Sequence, residues 1–239
     1  MDMAFLSASF RRARAHARDW GESALNLAFP WQESAESAPI PIVPPFCRQC
    51  GEPFPGLERV DSTVVCERCT KQRWHFGWAR AAYRTRGQVL EAVLGFKYYE
   101  QYYQHSRLVD WLTEAYDHHA RAEAWDALVP VPLYHRRHRE RGFNQASELA
   151  RGLARKRKLR VMECLYRCRE TPSQTKLSRS ARWENMAGAF AQKRRFDVTG
   201  LNLLLIDDVF TTGATTNACA QVLAHAGAAS LAVLTVARS

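Results

Sequence analysis

The sequence predicts an α/β fold, a parallel sheet with helices on both faces, preceded by a small four-cysteine module. Three observations lead there. Ala127-Leu128-Val129, Leu203-Leu204-Leu205-Ile206 and Leu231 to Val236 are apolar at every position rather than at every second one, the pattern of strands buried on both faces. Between these runs lie segments whose apolar residues recur at helical spacing, and strands alternating with helices assemble into parallel sheets. Ahead of them stand two Cys-x-x-Cys pairs, a spacing suited to a tetrahedral metal site.

The elements follow in chain order. Residues 1–46 read as a flexible extension, with a short helix over Ala13 to Trp20 and then a linker containing Pro39, Pro41, Pro44 and Pro45. Residues 47–73 hold the cysteine pairs, and 74–239 form the main domain. Val89, Val93, Leu108, Leu112 and Tyr116, with Trp111 nearby, predict two helices separated near Tyr103. The aromatics Phe96, Tyr98, Tyr99, Tyr102 and Tyr103 around Lys97 suit either core packing or the stacking of bases. Ala127 to Pro132 is a strand whose end two prolines force. A basic loop follows, then a helix from about Phe143, burying Ala146, Leu149, Ala150, Leu153 and Ala154 and turning Arg151, Arg155 and Lys158 outward. Past Leu203 to Ile206, the helix with Ala218, Val222, Leu223 and Ala226 as its core stripe stops at Gly227. Leu231 to Val236 is the last strand.

The 239 residues carry 34 Lys+Arg against 24 Asp+Glu, a net charge of +10. No run approaches the ~18–20 apolar residues of a membrane span. Met1 to Phe10 are followed by Arg11 and Arg12 without a small-residue cleavage site, so a secretory signal is not expected and the default location is the cytoplasm. There thiols stay reduced, and cysteines are buried, metal-bound or catalytic. The charge is unevenly placed: residues 131–160 hold ten Lys and Arg against two Glu, and 161–195 hold eight against three. Such a stretch fits a polyanionic partner, a phosphorylated small molecule or a nucleic acid, and equally a solvated face.

Cys47-x2-Cys50 and, fifteen residues on, Cys66-x2-Cys69 let four thiolates converge on one ion. Gly51 and Pro53 supply a sharp turn, and Val64-Val65 is strand-like. Four protein ligands leave no open position, so the site is structural, with Zn2+ ahead of an iron–sulfur cluster. Cys164, Cys168 and Cys219 are most simply buried small hydrophobes.

A buried strand then delivers Asp207 and Asp208 into the loop Thr211-Thr212-Gly213-Ala214-Thr215, which opens a helix. Free N–H groups at a helix start, threonine hydroxyls and a glycine that permits close approach suit a phosphate. Two carboxylates beside it suit vicinal hydroxyls, which together describe a sugar phosphate. The segment resembles the signature of type I phosphoribosyltransferases. That resemblance implies that Asp207 and Asp208 hold the ribose hydroxyls of phosphoribosyl pyrophosphate and that Thr211 to Thr215 take its 5′ phosphate.

Val129-Pro130-Val131-Pro132-Leu133 leads to Arg137, Arg141, Gly142 and Asn144, and later come Gln174, Leu177, Arg182 and Asn185. Arginines in a loop after a buried strand suit bidentate phosphate contacts. Arg182 and Asn185 share one face of a helix starting near Ser178. With the cysteine pairs and the acidic loop in this order, residues 47–239 resemble the ComF family, competence proteins associated with DNA uptake in natural transformation. The resemblance implies a type I phosphoribosyltransferase-like sheet behind a zinc ribbon. It also implies an accessory role in DNA uptake, with single-stranded DNA and a helicase-like protein as partners. Pyrophosphate, with Mg2+, belongs near Pro130 to Arg141, where Arg137 and Arg141, with Arg182, contact pyrophosphate or DNA; Glu170 to Arg182 becomes a mobile cover. The segment ahead of the sheet is a metal ribbon and aromatic helices, without a recognisable nucleobase pocket. The alternative is an active transferase with an unknown acceptor. Amido transfer from glutamine is disfavoured by Met1-Asp2 in place of an N-terminal cysteine.

Overall fold

The computed structural model describes residues 38–98, 103–169 and 179–239, without the side chains of Tyr98 and of 179–182. The expected extension before residue 38, Tyr99 and Tyr102 of the aromatic run, and the cover over 170–178 with Gln174 and Leu177 lie outside the described residues, as does the side chain of Arg182. In chain order the elements are α1 (Glu67–Thr70), β1 (Trp78–Arg84), α2 (Gly87–Tyr98), α3 (Gln104–His119), β2 (Ala127–Pro130), α4 (His135–Arg141) and α5 (Gln145–Arg157). Then follow β3 (Leu165–Arg167), α6 (Arg179–Met186), β4 (Phe190–Gln192), β5 (Asn202–Phe210), α7 (Ala214–His225) and β6 (Ser230–Arg238).

Four strands make one parallel sheet in the order β1-β6-β5-β2, and β3 pairs with β4 as a small antiparallel ribbon. The continuous apolar runs occupy its centre: Leu203, Leu204, Leu205, Ile206, Val233 and Leu234 are fully buried. One face carries Leu204, Ile206 and Leu234 against Val93 and Phe96 of α2, Leu108 and Leu112 of α3, and Leu149 and Leu153 of α5. The opposite face carries Leu203, Leu205 and Val233 against Cys219, Ala220 and Leu223 of α7, Met186 of α6, and the cysteines of the N-terminal module. Each such leucine taken out of water contributes ~1.5–3 kcal/mol, which is why these runs choose the middle of the sheet.

The expected helices of the 88–119 region form, with Phe96 in the core against Phe143 at 5.0 Å; Tyr103 remains exposed. Several boundaries differ from expectation. Trp78–Arg84, ahead of the expected sheet, is itself an edge strand paired to β6. The half-buried alternation Ala79, Ala81 of an edge strand carries a weaker signal than a continuous run. The basic loop after β2 is a helix, α4, with no buried residue; without an apolar stripe it leaves no periodic mark. β2 stops at Pro130, and α5 begins at Gln145, not Phe143. Its start is set by Asn144, whose side-chain oxygen accepts from the Ala146 N–H at 3.2 Å. Asp207 and Asp208 lie inside β5 rather than past its end, because the β6 register continues to Phe210. In α7 the buried stripe runs through Thr216, Cys219, Ala220 and Leu223, while Ala218 and Val222 are half-buried. Val64 and Val65 belong to no strand, and Cys168 is exposed, unlike Cys164 and Cys219.

Helices α3 and α5 cross closely at Gly152, where a β carbon would stand 2.3 Å from Cγ2 of Val109. Gly152→Ala is expected to cost ~1–3 kcal/mol through overpacking, with part recovered by adding Val109→Ala. Urea unfolding of the two variants checks this, and an unchanged midpoint in Gly152→Ala contradicts the packing.

Candidate functional site

The four cysteines of the N-terminal module come together, with every pair of sulfurs within 4.8 Å. Cys50 Sγ and Cys66 Sγ are 3.7 Å apart, close to the ~3.8 Å edge of a tetrahedron with metal–sulfur bonds of ~2.3 Å. Sulfurs this close suit a single ion better than a multi-iron cluster, whose thiolates stand further apart. All four are free thiols, so the group could hold a metal ion. Their surroundings fit anionic sulfur: the Cys66 N–H donates to Cys47 Sγ at 3.2 Å and Arg68 Nη2 to Cys50 Sγ at 3.1 Å. Gly51, at φ +68°, makes the turn of the first knuckle, and a β carbon there would meet the Ala79 carbonyl oxygen at 2.7 Å. The knuckle therefore lies directly on β1, where the Ala79 N–H donates to the Gln49 carbonyl at 2.8 Å.

At the carboxyl end of the sheet, where parallel sheets receive ligands, β5 presents the two acids to opposite faces. Asp208 is buried and pairs with Lys97 Nζ of α2 at 2.7 Å. Asp207, half-buried, feels Cys219 and Arg167 on the α7 side. Burial first, and the neighbouring Asp208 second, push the Asp207 carboxyl up to about 7. Lys97, the Asp208 N–H that donates to Asp207 Oδ1 at 2.9 Å, and Arg167 oppose that rise. Asp208 and Val236 have no mutual partner in the β5–β6 register, and Val209 packs on the same face as Ile206. The register is the same on either side of this pair, and the alternation of faces shifts only between Asp208 and Val209.

The loop that follows is shaped by Gly213, at φ +82°, whose β carbon would stand 2.7 Å from both the Phe210 and Trp74 rings. Only glycine serves there. Thr212 Oγ1 accepts from the Ala214 N–H at 3.3 Å, and Thr216 Oγ1 donates to the Gly213 carbonyl at 3.1 Å. Thr211 and Thr215 are half-buried, and Gly213 at the N-cap of α7 has no side chain to offer. The start of a helix is where backbone N–H groups can meet an anion.

Of the arginines singled out in the sequence, Arg137 lies on α4, and its charge reaches Arg167 together with that of Asp207. Arg141 closes α4 and donates to Gln145 Oε1 at 3.2 Å. Asn144 Nδ2 donates to the Val131 carbonyl at 3.0 Å, fastening this turn to the end of β2. Arg182 is on α6, its side chain outside the described residues. Sequence reasoning missed Lys97, Arg167 and Trp74. Lys97 stood out only as a charge amid aromatics, and no local pattern ties it to an acid so far along the chain.

The raised Asp207 carboxyl has a signed consequence. Between the ordinary 3.8 and about 7 the unfolded chain releases a proton that the folded protein keeps, so stability falls as pH rises through that window and levels off above it. Asp207→Asn removes this loss. Its stability advantage over the native chain is expected to be larger at pH 8 than at pH 4.5, read from urea midpoints; an equal difference at both pH values contradicts the assignment.

No protein-family model matches the chain. DNA utilization protein YhgH of Escherichia coli K12 is 38% identical over 115 residues, 48% of this chain and 50% of the relative. Competence protein F of Haemophilus influenzae is 35% identical over 118 residues, 48% of this chain and 51% of the relative. Competence protein ComFC of Bacillus subtilis is 36% identical over 118 residues, 47% and 44% of the two chains. The chain thus spans about half the length of the curated relatives it matches. Among solved structures, glutamine phosphoribosylpyrophosphate amidotransferase from B. subtilis aligns at 19% identity and a TM-score of 0.36, over 54% of this chain and 25% of that one. Hypoxanthine-guanine phosphoribosyltransferase of L. donovani aligns at 14% and 0.34, over 55% and 67%. Similarity this low carries no argument about the site. Over that half the chain is similar to competence protein F, ComFC and YhgH, the relatives that support the ComF resemblance.

Proposed function

We propose that the chain is a ComF-like accessory protein of DNA uptake with a binding site for phosphoribosyl pyrophosphate. One observation carries the reading. A buried strand carries two carboxylates of unequal environment near its end, and after Phe210 the chain makes a glycine turn into a helix. Asp207 and Asp208 accept hydrogen bonds from the ribose hydroxyls, and the 211–215 loop receives the 5′ phosphate through backbone N–H groups and threonine hydroxyls. Arg137 and Arg141, with Arg182, face the pyrophosphate, which Mg2+ accompanies to neutralise charge. Residues 74–239 are the sugar-phosphate domain, and 47–73 form a ribbon whose Cys47, Cys50, Cys66 and Cys69 hold Zn2+ structurally. The thiolates that this requires fit the reducing cytoplasm.

Single-stranded DNA and a helicase-like protein are the proposed partners. Exposed Arg136 and Arg139 on α4, with Arg155, Lys158 and Arg160 at the end of α5, supply the positive surface. The names of the relatives, competence and DNA utilization, support this reading. No helix among the described residues is long and apolar enough to cross a membrane.

Calorimetric titration with phosphoribosyl pyrophosphate and Mg2+ is expected to show saturable binding that the double variant Asp207→Asn, Asp208→Asn loses; no heat from the native protein rejects the site. Mg2+-dependent release of pyrophosphate, abolished by the same variant, would instead identify a transferase. The purified protein is also expected to carry one equivalent of zinc. Cys47→Ser should lose it together with thermal stability, whereas a metal-free chain of equal stability rejects the metal centre.

A further inference from the structure

The four-cysteine module is joined to the candidate phosphate loop along two separate paths. The first starts at Arg238, the last residue of β6 and only 3% exposed. Its Nη1 donates to the Cys50 carbonyl at 2.6 Å, and its Nη2 reaches Glu52 Oε2 at 2.5 Å and Cys50 Sγ at 3.5 Å. The same guanidinium stands 5.0 Å from the centre of the Phe210 ring. Phe210 is the neighbour of Arg238 in the sheet and bears on Gly213. The second path is the chain leaving Cys69. Trp74 packs on Gly213 and edge-on against Trp183 at 5.4 Å. Beside it, Asn217 in the first turn of α7 accepts from the His75 N–H at 2.8 Å and donates to the Arg73 carbonyl at 3.2 Å.

Charge explains why the first path needs the metal. Arg238 and Arg68 both direct N–H groups at Cys50 Sγ, and half-buried Arg80 reaches the same knuckle, donating to the Arg48 carbonyl at 2.9 Å. Glu52 is the one carboxylate bonded to Arg68 and Arg238 among the described residues. A divalent ion with four thiolates carries two negative charges, which match the surplus of these arginines. Four neutral thiols would leave Arg238 buried with half its compensation, a costly arrangement.

We propose that the four-cysteine centre is a positioning site for the 211–215 loop, its metal-bound state transmitted through Arg238 and Phe210 and through Trp74. Arg238, Phe210 and Trp74 are positioning residues: they touch the loop or its neighbours, not the ligand. The functional consequence rests on the sugar-phosphate reading, while the mechanical coupling does not. Linkage makes the effect reciprocal, so occupation of the loop tightens the metal by the same factor that the metal tightens the ligand, typically about 5- to 150-fold.

Hydrogen exchange of the full-length protein, metal-loaded and after chelation, tests the coupling. Amides of 211–217 are expected to lose protection together with those of 47–69 while α5 stays protected. Unchanged exchange at 211–217 overturns the proposal. Should chelation unfold the whole chain, metal-loaded Arg238→Met decides. It is expected to raise exchange at 211–217 and to yield its zinc to a competing chelator at least about fivefold more readily; native values for both overturn the proposal. The reciprocal arm titrates zinc loss with and without phosphoribosyl pyrophosphate. Protection in the native protein that Arg238→Met lacks confirms the linkage, and equal protection in both overturns the Arg238 path. If the native protein binds no phosphoribosyl pyrophosphate, the sugar-phosphate reading fails and the exchange experiment still decides the coupling.

Discussion

Two adjacent carboxylates at the end of a strand buried on both faces are the constraint around which this molecule is arranged. Removing an isolated carboxylate from water costs several kcal/mol or more, and β5 must carry two. The fold treats them differently. Asp208 turns to the α2 side and meets Lys97, while Asp207 turns to the α7 side and is driven toward its protonated form. The ordinary alternation of a strand separates the two directions. A site so divided carries less than two full negative charges near neutrality and so repels an anionic ligand less than two ionised carboxylates would.

The same accounting of charge governs the other end of the chain. Arg68, Arg80 and Arg238 gather about the cysteine cluster, Arg238 among them buried. Gly51 and Ala79 bring the knuckle onto β1 without an intervening side chain. Burial of Cys47 and Cys50 in the same apolar cluster as Leu203 and Val233 makes the module part of the main core. It does not behave as a bead on a linker.

Much of this was legible before folding. Four cysteines in two close pairs converge because local turns bring each pair together, and spacing is a local property. Leu203 to Ile206 had to be central because no alternation offers water a face. The phosphate-loop residues were readable for the same reason, being consecutive. Less legible were β1, whose burial alternates, and α4, which buries nothing. The boundary between strand and loop at Asp207 also escaped, because pairing with β6 carries two acids into the ladder against their own preference for turns.

What the chain order could declare was therefore whatever depends on neighbours in sequence: the cysteine pairs, the buried runs, the acids with their glycine turn, and the family pattern they compose. Which partner each charge finds was decided only in three dimensions. Lys97 meets Asp208, Arg167 senses Asp207 and Arg137, and Arg238 meets Cys50 and Glu52, because crossover connections bring distant segments to one sheet end. Electrostatic energy depends on distance through space and on the water excluded from between the charges, and neither quantity is written in the spacing of residues along a chain.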